Sequence, residues 1–445
     1  MSQLRDNAGG ADAPPESTAN VRWSVNDGVE LLGPVLDSGL AAPTFLLRRH
    51  DGQVVQVSEL INIVLEELCP ERTLAEVAAT VSARYQRRLT SDGLSHLLIA
   101  TLSRLGLVTP TDAKPTAGEE RNLPRATPIL SLTLRGTLLP AAATRRVASV
   151  LRGLYWPPVV VAALLGWLAL DVLVVLSAGR AGLADAITQI LSAPALVLAL
   201  YAAMTLASLI HETGHAAASR YGGAVPGRIG VGVYIIYVAF YTDVTDSYRL
   251  SRTARLRTDL GGLYFNVLTV IGLAVAYLAT GDGFFLLMVV LLQIEMAQQL
   301  LPIVRFDGYY ILADLTGVPN LFARVRPVLL SLRPRRFRGS QASDLKPVAR
   351  RLVRAWVLIV VPFLALSLGW LFWNIPVIIS QTLWAARTQY DQVIAAAQTG
   401  EVSRLLLSAV SIPLLMLPLL GIGILFWRLG RSLVRWIWHR PVAST

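Results

Sequence analysis

The stretch 208-SLIHETGHAAASRYGG-223 places His211, Glu212 and His215 at the end of an apolar run. On a helix, residues four apart share a face, so both imidazoles point the same way. Two nitrogens at that spacing can chelate zinc, and Glu212 beside them can serve as general base toward water. The five-residue pattern alone supports two readings: a metal-binding pair, or two hydrogen-bonded histidines on one helix face. Position bears on the choice. A charged group inside a membrane span costs roughly 2.5–3.5 kcal/mol on insertion scales, and three polar groups together need a partner that a divalent metal supplies.

The surrounding chain favours a membrane setting. Of 445 residues, 54% are hydrophobic and only 16% charged, and the apolar residues gather in long blocks. This composition suits a polytopic membrane protein. The net charge of +11 comes largely from arginines near the ends of those blocks, which the positive-inside rule explains better than nucleic-acid binding does. A single cysteine, Cys69, excludes an internal disulfide framework and a zinc site of several thiolates. Before Pro70 it reads as a small buried residue. Residues 1–20 are polar, with no cleavable signal peptide, and read as a disordered cytoplasmic tail.

Residues 21–108 have the mixed polarity of a small soluble domain. The stretch 43-PTFLLRRHDGQVVQVSE-59 reads as two strands around a turn at Asp51-Gly52. The stretch 61-INIVLEEL-68 has helical periodicity, and in a second helix, 72-RTLAEVAATVSARY-85, Thr73 followed by Glu76 makes a capping-box pattern. A third helix puts Leu94, Leu97, Leu98 and Leu105 on one face. Two strands and three short helices give an α+β, winged-helix-like module. A linker follows over 109–128, then a basic amphipathic segment, 129–154, suited to a membrane surface.

Six blocks are long enough to span a bilayer, which takes about 20 apolar residues per helix. They are Tyr155–Ser177, Ala193–Ala218, Leu260–Thr280, Phe284–Val304, Ala355–Trp373 and Leu405–Trp427. Arg249, Arg252, Arg255 and Arg257, the basic loop 322–354 and the basic tail all fall on one side, with both termini. That side is expected to be cytoplasmic. Between the second and third spans, 222-GGAVPGRIGVGVYIIYVAFYTDV-244 is broken by glycines and rich in β-branched and aromatic residues. It reads as a re-entrant β-hairpin beside the histidines, or alternatively as a loop on the cytoplasmic surface.

A third metal ligand is sought near the end of another span. In 293-QIEMAQQLLPIVRFDGYYILADLTGVPNL-321, Asp307 follows the fourth span on the side of His215. Asp307-Gly308 also reads simply as a turn, and Asp314 competes with it. Glu295 and Gln299, one helical turn apart, form a polar stripe suited to lining a cavity. Asp171 in the first span reads as part of a polar seam.

Taken in order on separate spans, HETGH, 259-DLGGLYFN-266 and 300-LLPIVRFDGYYILADLTGVPNL-321 resemble the site-2 protease family of intramembrane zinc metalloproteases. The resemblance covers about Thr205 to Leu321, within a core taken as 155–321, and the remaining residues 355–445 supply further spans and a basic tail. It implies a Zn2+ site of His211, His215 and Asp307, Glu212 as general base, and Asn266 binding substrate or stabilising an oxyanion. Leu263 and Gln299 stand where the family usually has proline and asparagine. The strings 240-FYTDVTDSYRL-250 and 306-FDGYYILADLTGVPNL-321 resemble a branch associated with maturation of ribosomal peptides, including daptide-type pathways. Residues from about Thr44 to Val108 are similar to a PqqD-like, leader-binding module.

The resemblance implies a multi-pass enzyme of the bacterial cytoplasmic membrane. Its substrate would be a precursor peptide with a leader, and its partners the lipid bilayer and a peptide exporter or modifying enzymes, with no nucleic acid. Two other readings stay open: cleavage of a membrane-bound anti-sigma factor or signal-peptide remnant, and a metal-free scaffold for precursor export. The amino-terminal module also admits a DNA-reading or oligomerisation role.

Overall fold

A computed structural model describes residues 22–49, 54–111, 132–179, 182–234, 237–331, 344–400 and 402–438. The tail 1–20, the Asp51-Gly52 turn, most of the linker 109–128 and the middle of the basic loop, 332–343, lie outside the described residues. The chain divides into two compact units, Met1–Thr127 and Pro128–Thr445.

In the first unit the strands are β1 (Trp23–Val25), β2 (Glu30–Pro34), β3 (Thr44–Arg48) and β4 (Val54–Ser58). The last three form an antiparallel sheet in the order β2-β3-β4. Helices α1 (Glu59–Glu67), α2 (Leu74–Tyr85) and α3 (Ser91–Leu97) follow, and β5 (Val108–Pro110) returns to pair with β1. Each helix begins where a hydroxyl meets an unpaired amide: Ser58, Thr73 and Thr90 all accept from N-terminal backbone N–H groups. Thr73 and Glu76 complete a capping box. Leu47, Val64, Val81, Leu94, Leu98, Leu102 and Leu107 are fully buried, and Leu97 and Leu105 pack against that core. Each such side chain contributes about 1.5–3 kcal/mol. The unit therefore has strands β1, β2 and β5 beyond the two expected. Cys69 is half-buried rather than buried.

The second unit opens with β6 (Leu132–Leu139) and α4 (Ala141–Leu151). The expected single surface segment, 129–154, is thus two elements, divided at Pro140, which caps the helix from outside. Then come α5 (Pro157–Ala178), α6 (Gly182–Ser192) and α7 (Pro194–Tyr221). Strands β7 (Ile229–Tyr234) and β8 (Tyr237–Thr242) form the expected hairpin, and β6 adds to it in the antiparallel order β6-β7-β8. Helices α8 (Arg252–Asp259), α9 (Gly261–Thr280), α10 (Gly283–Gln299), α11 (Asp307–Thr316), α12 (Val325–Ser331), α13 (Pro347–Thr399) and α14 (Val402–Trp438) complete the chain.

Among the described residues, four helices, α5, α7, α9 and α13, are long and apolar enough to cross a membrane. Helix α10 is apolar but shorter, because the fourth expected span stops at Gln299 instead of Val304. Proline 302 lacks an amide hydrogen and keeps the preceding residue out of the helical region, so residues 300–306 are unwound. The fifth expected span, Ala355–Trp373, is part of a longer helix that runs on to Thr399: α13 has 53 residues, about 80 Å at 1.5 Å per residue. Half-buried between helices, Gln293 donates to Asp171 at 2.7 Å, joining α10 to α5 through the anticipated polar seam.

Candidate metal centre

Helix α7 carries His211 and His215 on one buried face, 5% and 9% exposed. Their Nε2 atoms lie 3.1 Å apart. Asp307, the first residue of α11, places Oδ2 3.2 Å from His211 Nε2 and 3.6 Å from His215 Nε2. The helix N-terminus favours a carboxylate there. The unwound segment 300–306 turns the chain back to make this meeting. Trp356 Nε1 donates to the Pro302 carbonyl at 2.6 Å, and Tyr309 stacks on Phe322 at 5.1 Å. At Gly308 a side chain is impossible without a shift, since a Cβ there would lie 2.1 Å from the Leu300 carbonyl oxygen. The Asp-Gly pair is a close-packed turn and also the support of a cluster member.

The donor set fits a divalent cation. His215 Nδ1 lies 2.8 Å from the carbonyl of Thr258, and a carbonyl only accepts, so the proton sits on Nδ1. His215 Nε2 is then a bare lone pair aimed at the cluster. Asp307 Oδ2 is buried without a hydrogen-bond partner among the described residues. Two imidazole nitrogens and a carboxylate oxygen, all within 4.8 Å of one another, need a proton or a cation between them. Two histidines and one carboxylate are the ligand chemistry of catalytic zinc, which keeps a position open for water.

Glu212 neighbours this cluster on α7. The Thr242 hydroxyl at the end of β8 lies 2.7 Å from Glu212 Oε2 and 2.8 Å from its backbone oxygen, with one proton to donate to either. The hairpin is therefore tied directly to the carboxylate. On α9, Gly262 packs so closely that a Cβ would stand 2.2 Å from His211 Nε2. The Tyr155 hydroxyl lies 3.0 Å from the carbonyl of Gly214 and 3.1 Å from that of Gly261, pinning α7 to α9.

Asn266 is 1% exposed, one turn beyond Gly262. Its Nδ2 donates to Gln299 Oε1 at 3.4 Å, and Gln299 Nε2 donates to Glu295 Oε1 at 3.1 Å. A carboxylate at the end of this chain orients both amides and leaves Asn266 Oδ1 without a partner among the described residues. Glu295 and Gln299 thus join Asn266 in one polar chain. Asp314 is separate: Arg255, 3% exposed, donates to it through Nε at 2.9 Å. That pairing accounts for Asp314 standing outside the cluster. Sequence reasoning missed Thr242, Thr258 and Tyr155, although Thr242 lies in the FYTDV string and Thr258 adjoins DLGG.

The comparisons with known proteins add one finding. Over 119 residues, 26% of the chain, it is 28% identical to a protein of Bacillus subtilis (strain 168) described as "Putative peptide zinc metalloprotease protein YydH". The alignment spans 46% of that relative, under half of its length. No family model and no solved structure matches the chain.

Proposed function

We propose that this protein is an intramembrane zinc endopeptidase of the site-2 type that trims a ribosomally made precursor peptide. The convergence of His211, His215 and Asp307 beside Glu212 carries the reading. Zinc, when held by these three residues, supplies Lewis-acid polarisation of water and of the scissile carbonyl. Glu212 takes the proton from the attacking water and delivers it to the leaving amine. Thr242 holds that carboxylate in place. Asn266, with its amide oriented by Gln299 and Glu295, offers Oδ1 to a substrate N–H and keeps one amide hydrogen for a developing oxyanion.

The substrate must be extended for its carbonyl to be reached. In the order β6-β7-β8 one edge of β8 is unpaired among the described residues. A peptide strand added there runs past Thr242 and hence past Glu212. The arginine pattern supports six spans, counting α10 and α14, with both termini in the cytoplasm. The first unit serves as a PqqD-like module that binds the leader, and a peptide exporter or modifying enzymes take the product onward.

Co-expression with a precursor peptide, read by mass spectrometry, tests the proposal. Glu212→Gln should leave the precursor uncut while the purified variant retains zinc. Processing at the wild-type rate by that variant would refute the mechanism.

A further inference from the structure

Three guanidinium groups gather at one end of α7 with no acidic partner among the described residues. Arg152, in the short helical turn between α4 and α5, and Arg220, next to last in α7, line one cavity of about 290 Å³ with Gly153 and Tyr221. Arg257, on α8, lies over the face of the Tyr221 ring, 4.6 Å from its centroid. Among the described residues none of the three is ion-paired or hydrogen-bonded through its side chain to a carboxylate. The Nε atoms of Arg220 and Arg257 are buried and, among the described residues, without a hydrogen-bond partner. By contrast, neighbouring Arg249 and Arg255 each hold an aspartate, Asp246 and Asp314. Three unneutralised charges around a shared ring repel one another, so an anion placed between them relieves a cost already built into the fold.

The level of the site in the molecule narrows the anion. Trp156, 60% exposed, sits between Arg152 and Pro157, where apolar α5 begins. An exposed tryptophan at the head of an apolar helix marks the membrane–water interface, the level of lipid phosphates. Helix α4, which carries Arg145 and Arg146, leads into the same point. Arginine forks match phosphate oxygens in geometry as well as charge.

We infer that Arg152, Arg220 and Arg257, arranged around Tyr221, form a binding site for a phosphate anion at the membrane surface. The site adjoins the metal centre through the backbone: Arg257 precedes Thr258, whose carbonyl holds His215.

The test uses the full-length protein in neutral detergent, titrated with phosphatidylglycerol, phosphatidylcholine or inorganic phosphate. Bound molecules are counted by native mass spectrometry. One phosphatidylglycerol should bind more than tenfold tighter than phosphatidylcholine, and this preference assigns the anion to a lipid headgroup. Saturation by inorganic phosphate instead, with displacement of the lipid, assigns it to free phosphate. Arg220→Gln should weaken binding about fivefold and Arg152→Gln/Arg220→Gln about 25-fold, while Arg220→Lys should recover part of the loss. Zinc content and melting temperature confirm that each variant is folded. Equal binding of both lipids with none of phosphate, or unchanged affinity in a folded double variant, would overturn the inference.

Discussion

Replacing Gly262 by alanine probes the metal centre without removing any ligand. The added methyl carbon would stand 2.2 Å from His211 Nε2, 2.4 Å from Cε1 and 2.6 Å from Cδ2. Comfortable carbon contacts begin near about 3.5 Å, so ring or helix must retreat by roughly 1.3 Å, the difference from 2.2 Å. Metal–ligand distances tolerate only about 0.2 Å. The ring has little room to turn, because His215 sits 4.8 Å away, edge-on at 77°. Overpacking of this kind costs about 1–3 kcal/mol, equivalent to a loss of roughly 5- to 150-fold in zinc affinity. Gly272, on the same helix, meets nothing within 4 Å and provides the control. Competition against a chelator of known affinity reads the effect, with circular dichroism reporting the fold. Gly262→Ala should bind zinc far more weakly than wild type, and Gly272→Ala should match it. Wild-type affinity in a folded Gly262→Ala protein would show that the α9 contact does not shape the site.

Three further outcomes follow from the same geometry. Asp307→Asn should lose zinc by at least tenfold in affinity, whereas Asp314→Asn should keep it but lower thermal stability by about 1–3 kcal/mol, because buried Arg255 loses the charged acceptor of its Nε bond. Comparing zinc content with melting temperature separates the two aspartates. Thr242→Val should reduce kcat by about 10- to 100-fold with zinc content unchanged, since Glu212 loses its hydroxyl anchor, while Thr242→Ser should restore most of it. In the first unit, the Thr73 backbone N–H donates to the Glu76 carboxylate, and this bond first, with the neighbouring Thr73 hydroxyl second, holds it below the usual range. A depressed folded-state pKa adds stability above the ordinary glutamate value, about 4.3, and loses it as pH falls through the lowered one. Protection of α2 amides against hydrogen exchange, corrected for intrinsic pH dependence, should therefore fall between pH 5 and pH 3. Glu76→Gln should flatten that change.

What the sequence reveals and what it hides divide along physical lines. His211, Glu212 and His215 share a helix, so their relation follows from a period of 3.6 residues and is legible in five letters. The hairpin is legible for the same reason: β-branched residues broken by glycines do not sustain a helix. Tertiary partners are not legible in this way. Thr242 reaches Glu212 across 30 residues, Thr258 reaches His215 across 43, and Tyr155 reaches Gly261 across 106. Neither periodicity nor composition encodes which of many hydroxyls will land on a given carbonyl. Strand β6 is hidden similarly, because its Leu-Thr-Leu-Arg alternation reads equally well as a surface amphipath until β7 pairs with it. The close of α10 lies between these cases: Pro302 is visible, but that residues 300–306 return Asp307 to the histidines depends on Gly308 and Trp356.

The central claim is that this cluster holds zinc, and X-ray absorption at the zinc edge tests it most directly. Purified full-length protein should carry one zinc, with two imidazole nitrogens at about 2.0–2.1 Å and carboxylate or water oxygen at about 2.0–2.2 Å. His211→Ala, folded, should carry none. A folded wild-type protein that binds no zinc, or a zinc shell without two imidazoles, would contradict the account.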